Sequence, residues 1–252
     1  MSDAEIVTIT NKQLVTISEV FGPTLQGEGI SQGRPAMFVR LALCNLDCKW
    51  CDTPYTWDWT GKNGYAYSKP LETRRITTDD LVCRIDPTVP LVVITGGEPM
   101  LQQRALLRVV RALRDRGQEV EIETNGTIAP LADWVGLSGD YGDLGVQFNV
   151  SPKLWHSGVA WDDAIKPSVL RSYKHFGAVF KFVVSGPHCI QQIKLIADTV
   201  GIDAEHIWLM PEGRTSTALL DNLQWLFDQA VANNWNLTTR LHVLAYNDKR
   251  GI

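Results

Sequence analysis

The sequence has few of the features that mark a membrane, secreted or nucleic-acid-binding protein. No apolar run approaches the roughly 18 residues of a membrane-spanning helix. The opening segment MSDAEIVTIT also lacks the basic and then apolar stretch of a secretion signal. The formal net charge is −4, so no basic surface for nucleic acid is expected. These absences favour a cytoplasmic globular protein with no nucleic-acid or membrane partner.

Cysteine is scarce, and three of the five cysteines lie within the run CNLDCKWC. Cys44, Cys48 and Cys51 have the spacing C-x3-C-x2-C. Such close thiols do not readily form disulfides among themselves and leave an odd one over, whereas soft thiolates converge well on one soft metal centre. Cys83 and Cys189 are isolated in the sequence, and we expect both to be small buried apolar residues.

Three cysteine ligands are one fewer than the four that usually hold an iron–sulfur cluster. A 4Fe–4S cluster held by only three sulfurs keeps one iron open for a substrate or cofactor. Zinc is the alternative, but structural zinc normally takes further cysteine or histidine ligands, and no histidine lies near the run. The spacing therefore favours a catalytic iron–sulfur cluster over a zinc site.

Apolar strand-like segments alternate with helix-like segments along the chain. The predicted strands are Ala36–Leu43, Leu91–Thr95, Val120–Glu123, Val146–Val150, Val179–Val184, His206–Met210 and Leu237–Leu244. The predicted helices are Leu101–Arg116, Cys189–Val200 and Thr217–Asn233. Because strands joined by helices form parallel sheets with right-handed crossovers, we predict an α/β fold, an incomplete (β/α)6-like partial TIM barrel. A chain of 252 residues is long enough for one such domain, so we expect residues 1–252 to form a single domain.

Short polar motifs follow five of the predicted strands. The motifs begin at Cys44, Gly96, Thr124, Ser151 and Pro211. Active sites of parallel α/β folds lie at the carboxyl ends of the strands, so we expect these motifs to meet at one rim. Gly96 and Gly97 would let the backbone approach a ligand closely, because glycine has no Cβ atom.

Several polar residues stand out by their position. Arg40 lies in the apolar strand MFVRLAL, and a buried arginine is rare unless it is paired. It therefore either pairs with Glu28 or binds a substrate carboxylate. Gln26 and Glu28 offer the donors and acceptors that suit the edge of a heterocycle. Asp52 is either a magnesium ligand or the start of a turn.

The segment of about residues 54–75 is rich in aromatic residues and shows no clear period. It is long for a plain connection between elements of a compact domain. Its aromatic side chains either cover the site as a lid or pack against the barrel.

These motifs together resemble those of known enzymes. CNLDCKWC, with the aromatic Trp50 before its last cysteine, resembles the cluster motif of the radical S-adenosylmethionine (SAM) superfamily. TLQGEG, CNLDCKWCDT, TGGEP, ETNGT, SPK and MPEG resemble the 7-carboxy-7-deazaguanine synthase family of 7-deazapurine (queuosine and preQ0) biosynthesis. The resemblance extends from Thr24 to about Gly213. It implies a carbon–nitrogen lyase that converts 6-carboxy-5,6,7,8-tetrahydropterin to 7-carboxy-7-deazaguanine with loss of ammonia.

The resemblance also implies which residues form the site. Cys44, Cys48 and Cys51 would hold the 4Fe–4S cluster, and Thr53 would contact Mg²⁺. The SAM contacts would be Trp50, Asp52, Gly97, Glu98, Ser151, Pro152, Lys153, Met210, Pro211, Glu212 and Gly213. The pterin contacts would be Leu25, Gln26, Gly27, Glu28, Arg40, Thr95 and His242. Gln26, Glu28 and Arg40 would have the catalytic role of orienting the pterin, with Arg40 on its carboxylate.

The family further implies a homodimer and a flavodoxin-like reductant. Residues 1–35 would be an N-terminal extension that carries part of the substrate site, and His242 is expected in the last predicted strand. The chain departs from the usual family pattern at Leu43, where glycine is more common before the first cysteine. The segment 54–75 and the tail after His242 are also longer than in the short family forms.

Two other classes of protein share part of this pattern. An activating enzyme that places a glycyl radical on a partner protein has the same cysteine spacing and a partial barrel, but it needs no pterin site. A non-catalytic electron carrier or zinc-binding module would use the cysteines without SAM. The activating enzyme does not readily explain Arg40 in an apolar strand or the QGEG loop, and the single three-cysteine run is evidence against the carrier.

Overall fold

One nine-stranded sheet organises the protein, whose computed structural model describes residues 13–135 and 145–252. The strands are β1 (Leu14–Leu25), β2 (Pro35–Leu41), β3 (Arg74–Thr77), β4 (Leu91–Gly96), β5 (Glu119–Thr124), β6 (Val146–Val150), β7 (Val179–Val184), β8 (Ile207–Pro211) and β9 (Asn236–Leu237). Their order across the sheet is β3-β1-β2-β4-β5-β6-β7-β8-β9. Residues 1–12 of the expected N-terminal extension lie outside the described part of the chain.

Helices connect the strands. They are α1 (Lys69–Glu72), α2 (Thr78–Cys83), α3 (Gln103–Asp115), α4 (Ala132–Val135), α5 (Trp161–Ala164), α6 (Pro167–His175), α7 (Pro187–Val200), α8 (Ser216–Asn233) and α9 (Leu241–Tyr246). Short 3-10 turns lie at Gly29–Ser31, Pro54–Thr56, Pro99–Gln102, Trp155–Ser157 and Ala204–His206.

The strand pairing confirms the predicted incomplete barrel. From β2 through β4 to β9, all neighbouring strands are parallel, whereas β1 pairs antiparallel with both β2 and β3. Each new parallel strand is added on the same side of the sheet, as consecutive right-handed crossovers require. In the described part of the chain β3 and β9 are the two edges, so strand pairing does not close the barrel.

Loop contacts connect the regions near the two ends of the sheet. The loop between β1 and β2 meets the segment after β9, where the Gly29 amide donates to Thr238 Oγ1 at 2.8 Å and the Leu241 amide donates to the Gly27 carbonyl at 2.8 Å. Thr238 Oγ1 also donates to Gln32 Oε1 at 3.0 Å. Hydrogen bonds from loops and side chains therefore hold these regions together where no strand pairing does.

The core has the composition of a sheet covered on both faces. Strand β7, VFKFVV, is buried along its whole length, as is typical of parallel strands between helices. Helix α3 buries Leu106, Val109, Val110 and Leu113, the face that helical spacing predicts. It ends at Asp115, and Gly117 follows with a φ of +78°, a conformation that glycine adopts without strain. No helix of the described residues is long and apolar enough to cross a membrane.

Most predicted elements occur within a few residues of their predicted bounds, but the last strand is wrong. Of the predicted strand Leu237–Leu244, only Leu237 is extended, and Leu241–Tyr246 is the helix α9. A short apolar run fits the period of a helix as well as that of a strand. Here the Leu244 amide donates to the Arg240 carbonyl and the Asn247 amide donates to the Val243 carbonyl, which is the helical pattern. His242 is therefore helical.

One further expectation is wrong, and one strand was missed. Cys83 is exposed at the end of α2, whereas Cys189 is buried as expected. Strand β1 was not predicted, because its sequence LVTISEVFGPTL does not alternate cleanly. Its pairing with β2 slips between Ile17 and Glu19 and between Phe21 and Thr24, and each slip moves the following side chains out of simple alternation.

Candidate active site

A cavity of about 700 Å³ lies at the carboxyl ends of the parallel strands. All five motifs predicted to follow strands contribute to its wall. The contributing residues are Cys44, Cys48 and Cys51, Gly96 and Gly97, Thr124 and Asn125, Ser151 and Lys153, and Met210, Pro211, Glu212 and Gly213. The structure thus brings together segments that are far apart in the sequence, as parallel strands require.

The cavity wall also includes most of the other predicted site residues. These are Leu25, Gln26, Glu28, Arg40, Trp50, Asp52, Thr53, Thr95 and His242. Three predicted residues do not line it: Gly27, Glu98 and Pro152. A Cβ atom on Gly27 would lie 2.1 Å from His242 Nδ1, so this glycine is covered by the histidine ring.

Glu98 has a supporting position behind the cavity. Its side chain is fully buried, and its carboxylate accepts from the Met100 amide at 2.9 Å, Thr124 Oγ1 at 2.7 Å and the Asn125 amide at 2.7 Å. Burial raises the pKa of Glu98, although these hydrogen bonds oppose the shift. Within the described residues this side chain holds the loops after β4 and β5 together, and its contact with SAM stays a prediction.

The cysteine loop is fixed against the turn after β4 by backbone contacts. The Gly97 amide donates to the Leu41 carbonyl at 3.0 Å, and the Glu98 amide donates to the Leu43 carbonyl at 2.8 Å. A Cβ atom on Gly97 would lie 2.0 Å from the Leu43 carbonyl oxygen, so only glycine permits this approach. Leu43 itself has a φ of +78°. This explains why glycine is usual there, since a left-handed conformation costs other residues about 1–2 kcal/mol.

Hydrogen-bond donors surround the cysteine sulfurs. The Leu46 amide donates to Cys44 Sγ at 3.5 Å, the Trp57 indole Nε1 donates to Cys51 Sγ at 3.3 Å, and the Thr53 hydroxyl lies 3.8 Å from the same sulfur. Burial raises the pKa of all three thiols, that of Cys44 to about 12. The thiolates therefore need the positive charge of a metal centre.

The aromatic segment after the cysteines packs around the cysteine loop. Asp58 is buried and accepts four backbone N–H bonds at 2.7–3.3 Å from Thr60, Gly61, Lys62 and Asn63. Asn63 Nδ2 then donates to the Cys48 carbonyl at 3.2 Å, and the Leu43 amide donates to the Thr56 carbonyl at 2.8 Å. Tyr55, Trp57 and Tyr67 reach the cavity wall from this segment.

Aromatic and cationic side chains occupy the wall beside the sulfurs. Trp50 stacks on His156 with ring centroids 5.5 Å apart, and Lys153 Nζ lies 5.4 Å from the Trp50 ring centroid. Lys153 Nζ also donates to Ser151 Oγ at 3.0 Å. His156 Nε2 lies 3.5 Å from Glu212 Oε2. Burial lowers the pKa of His156 and raises the pKa of Glu212, so both groups favour their neutral forms.

A network of buried charges forms another part of the wall. Glu28 forms an ion pair with Lys181 and another with Arg240, whose Nε lies 2.8 Å from Glu28 Oε1. Lys181 Nζ also lies 3.3 Å from Glu123 Oε1, and Thr95 Oγ1 donates to Glu123 Oε2 at 2.8 Å. Burial opposes ionisation of Glu28, but the two cations outweigh it and hold the pKa of Glu28 well below its usual range.

Three members of this network, Lys181, Arg240 and Glu123, are absent from the residues predicted above. Lys181 had a usable signal, because a lysine inside the apolar strand VFKFVV is rarely buried without a partner. Glu123 and Arg240 had no such sequence signal, because both lie among polar residues in the sequence and their partners are distant along the chain.

Arg240 connects three of the motifs. Its guanidinium donates to Glu28 in the QGEG loop, to Asp52 after the last cysteine, and to the Gly213 carbonyl at 2.8 Å. Burial raises the pKa of Asp52, but Arg240 more than offsets this. The pKa of the Asp52 carboxyl is therefore lower than its usual value. Asp52 therefore binds a guanidinium, and its roles as the start of a turn, a magnesium ligand or a SAM contact stay predictions.

Arg40 pairs with a different residue than expected. Its Nε donates to Glu19 Oε1 at 2.8 Å instead of pairing with Glu28. The Tyr55 hydroxyl donates to the same Glu19 oxygen at 2.9 Å. In the hydrogen bonds among described residues only Nε of Arg40 is engaged, so its terminal nitrogens remain available to a ligand in the cavity.

Gln26 and His242 lie beside the charged network. Gln26 Nε2 lies 3.4 Å from Glu121 Oε2 and 3.5 Å from Glu123 Oε1, and its Oε1 accepts from the Glu28 amide at 3.2 Å. His242 Nε2 lies 3.9 Å from Glu28 Oε1. Burial lowers the pKa of His242 despite the nearby carboxylate. This part of the cavity therefore offers both donors and acceptors.

Comparison with known proteins gives one match to a superfamily profile and three to similar proteins. A family profile described as "Radical SAM superfamily" matches residues 40–153. A 7-carboxy-7-deazaguanine synthase from Pyrobaculum aerophilum is 36% identical over 239 residues, covering 94% of this chain and 97% of the relative. One from Hyperthermus butylicus is 33% identical and covers 92% of each chain. The crystal structure of QueE from Escherichia coli matches with a TM-score of 0.69 at 26% identity, covering 96% of this chain and 100% of that one.

The open barrel and the three-cysteine loop at the carboxyl ends of its strands define a radical SAM enzyme. The similar proteins identify the family within this class of enzymes. The chain belongs to the 7-carboxy-7-deazaguanine synthase family. This membership disfavours the glycyl-radical activating enzyme considered as the alternative.

The residues fit the 4Fe–4S cluster and SAM that the radical SAM superfamily implies. Three soft sulfurs face one cavity. Trp50 lines the cavity, and its buried Nε1 has no hydrogen-bond partner within the same residues, which leaves a donor for a ligand.

The close approach of Gly97 to the cysteine loop predicts that Gly97→Ala impairs cluster binding. The added methyl group meets the Leu43 carbonyl, so the cysteine loop must move. We expect iron content after anaerobic reconstitution to fall several-fold. Gly186→Ala is the matched control, because this glycine has an extended φ of 169° and no atom within 4 Å of a built Cβ. Equal iron content in the two variants would contradict the prediction.

The Arg240 contacts predict a pH-dependent loss of stability in Arg240→Met. Removing the guanidinium leaves the Glu28 and Asp52 carboxylates short of a buried partner, which costs about 3 kcal/mol at neutral pH. Both carboxyls have a lowered pKa in the folded protein, so their stabilisation is present above about pH 4 and is lost as the pH falls further. The difference between wild type and variant in urea unfolding should therefore be largest near pH 7 and shrink below pH 4.

Arg108→Met is the control for this measurement. Arg108 pairs with Asp79 at 3.0 Å, but both side chains are more than half exposed. Exposed pairs contribute little, so we expect little change at either pH. Equal destabilisation by the two substitutions would refute the proposed importance of the buried Arg240 contacts.

Proposed function

We propose that the protein converts 6-carboxy-5,6,7,8-tetrahydropterin to 7-carboxy-7-deazaguanine with loss of ammonia. The observation that carries the proposal is that the three sulfurs and the buried charged network face the same cavity of about 700 Å³. A cluster site and a polar substrate site are thereby in direct reach of each other. The membership of the chain in the 7-carboxy-7-deazaguanine synthase family supports this reaction.

When bound, the 4Fe–4S cluster and SAM supply the carbon radical that starts the reaction. Cys44, Cys48 and Cys51 would hold the cluster. The cavity residues Trp50, Gly97, Ser151, Lys153 and the turn from Met210 to Gly213 would contact SAM, with Lys153 at its carboxylate.

The charged part of the cavity would bind and orient the pterin. Arg40 would bind its carboxylate through the guanidinium nitrogens that Glu19 leaves available. Gln26, Glu28 and Thr95 would bind the amide and amine edge of the ring, because they present donors and acceptors side by side. Fixing the ring in this way would bring the hydrogen to be abstracted toward the radical and leave no room for water.

The proposal extends to Mg²⁺, partners and location. Thr53 lies on the cavity wall next to Cys51, and its hydroxyl is a hard oxygen ligand that Mg²⁺ accepts alongside waters and substrate oxygens. A flavodoxin-like protein would reduce the cluster, the active form would be a homodimer, and the protein would act in the cytoplasm. Chelation of Mg²⁺ with EDTA should lower turnover without releasing the cluster, and Thr53→Val should raise the Mg²⁺ concentration needed for half-maximal turnover.

The reaction is tested by incubating reconstituted protein anaerobically with SAM, Mg²⁺, dithionite and the carboxytetrahydropterin. Mass spectrometry should detect 7-carboxy-7-deazaguanine. Cys48→Ala should abolish the product, because two sulfurs do not hold the cluster, whereas Cys83→Ala should retain it, since Cys83 is exposed on α2. Turnover of a glycine-containing protein without turnover of the free pterin would instead indicate the activating enzyme.

The proposed role of Arg40 predicts that Arg40→Gln keeps the cluster but loses most of its turnover. A hydrogen bond to a charged group contributes about 1.5–3 kcal/mol, which corresponds to a loss in kcat/KM of roughly 10- to 100-fold. Arg34→Gln is the control, because Arg34 pairs with Glu119 at 2.6 Å with both side chains largely exposed. Near-normal kcat/KM in Arg40→Gln with intact iron content would refute the role.

A further inference from the structure

Trp57 lies outside the cysteine motif and donates a hydrogen bond to one of its sulfurs. Its indole Nε1 lies 3.3 Å from Cys51 Sγ. Among the described residues, Trp57 is the one whose side-chain N–H donates to a sulfur of the cysteine loop. The backbone amide of Leu46 donates to a different sulfur, Cys44 Sγ, at 3.5 Å, and the Thr53 hydroxyl lies 3.8 Å from Cys51 Sγ.

The position of the Trp57 ring is fixed by its surroundings. The Trp57 amide donates to the Pro54 carbonyl at 3.0 Å, and the preceding residue Thr56 is bound to the cysteine loop through Leu43. The next residue, Asp58, holds the following turn through four backbone amides. The indole is therefore anchored on both sides along the chain, and it borders the cavity.

A hydrogen bond at this sulfur has an electronic consequence. A neutral thiol is a weak acceptor, but a thiolate bound to iron carries negative charge and makes a charge-assisted bond. When a cluster gains one electron, the negative charge on its sulfurs increases, and a fixed N–H donor stabilises the reduced state more than the oxidised state. Donors to ligand sulfurs therefore raise the reduction potential of a cluster.

We propose that Trp57 is a positioning residue that raises the reduction potential of the cluster by donating its indole N–H to Cys51. The step concerned is one-electron reduction, in which an electron passes from the reductant to the cluster and no bond is made or broken. The inference rests on the proposed cluster site. It assigns a function to the long aromatic segment, which brings to the last cysteine a donor that the C-x3-C-x2-C loop does not contain.

Potentiometric titration of the reconstituted protein, followed by electron paramagnetic resonance, tests the proposal. Trp57→Phe keeps an aromatic ring and removes the donor. Its reduction should become less favourable by up to roughly tenfold, which for one electron is a shift of about 59 mV to more negative potential. Trp59→Phe is the control, because the buried Nε1 of Trp59 has no hydrogen-bond partner in the described part of the chain, and its potential should equal that of wild type.

The outcomes separate this inference from the proposed function. A wild-type protein that takes up no cluster would overturn both. A wild-type protein with a cluster, and a Trp57→Phe variant with an unchanged potential, would overturn only the role of Trp57. A shift of equal size in Trp59→Phe would overturn it as well, since the effect would then come from repacking.

A measurement on the native sequence covers the case in which Trp57→Phe does not hold a cluster. Wild type and Trp50→Phe, the variant that lacks the other indole bordering the cavity within the described residues, should both show a ¹⁵N hyperfine coupling to the cluster in pulsed resonance spectra when labelled with indole-¹⁵N tryptophan and reduced. They should also show a proton coupling that disappears in D₂O. Absence of both couplings in the wild-type protein would refute the hydrogen bond.

Discussion

Buried charge must be paired, and in this protein that requirement falls most heavily on Arg240. Its side chain is only 12% exposed, and its guanidinium is shared among Glu28, Asp52 and the Gly213 carbonyl. A guanidinium has five donors in a fixed plane, so it can bind several partners only if they converge from the correct directions. These partners belong to the loop after β1, the cysteine loop and the turn after β8. One side chain thereby fixes the relative positions of three segments that line the cavity.

The same constraint explains how an open sheet can enclose a site. β3 and β9 are the edges of the sheet within the described residues, so no backbone ladder joins the end of the barrel to its start. The gap is bridged by the bonds from Gly29 to Thr238 and from Leu241 to Gly27, and by the Arg240–Glu28 pair. The first and last of these contacts depend on side-chain chemistry, whereas strand pairing does not. Glu28 and Arg240 therefore belong both to the site and to the contacts that close the fold.

The sequence predicted what depends on local pattern. The bounds of β6 and β7 match the predicted strands, and the motifs after five strands meet at one cavity because parallel strands end on the same side. Pairing between distant residues was not predictable: Arg240 lies 188 positions from Asp52, and no local pattern signals that contact. Nor does composition distinguish Glu19 from Glu28 as the partner of Arg40, because both precede the strand. The helix around His242 was missed because a short apolar run fits two periods.

The cavity has two chemically different parts, and the difference limits what it can bind. Beside the cysteines, buried thiols, aromatic rings and N–H donors suit a soft, charge-delocalised centre. In the other part, Glu28, Glu123, Lys181 and Arg240 already neutralise one another. A ligand there must offer donors and acceptors on one edge to replace or join these bonds, since a desolvated ion left unpaired is costly. The amide-and-amine edge of a pterin meets this requirement, with a carboxylate for Arg40. A glycine segment of a protein partner offers backbone N–H and C=O groups but no carboxylate for Arg40, so the charges favour the small polar heterocycle.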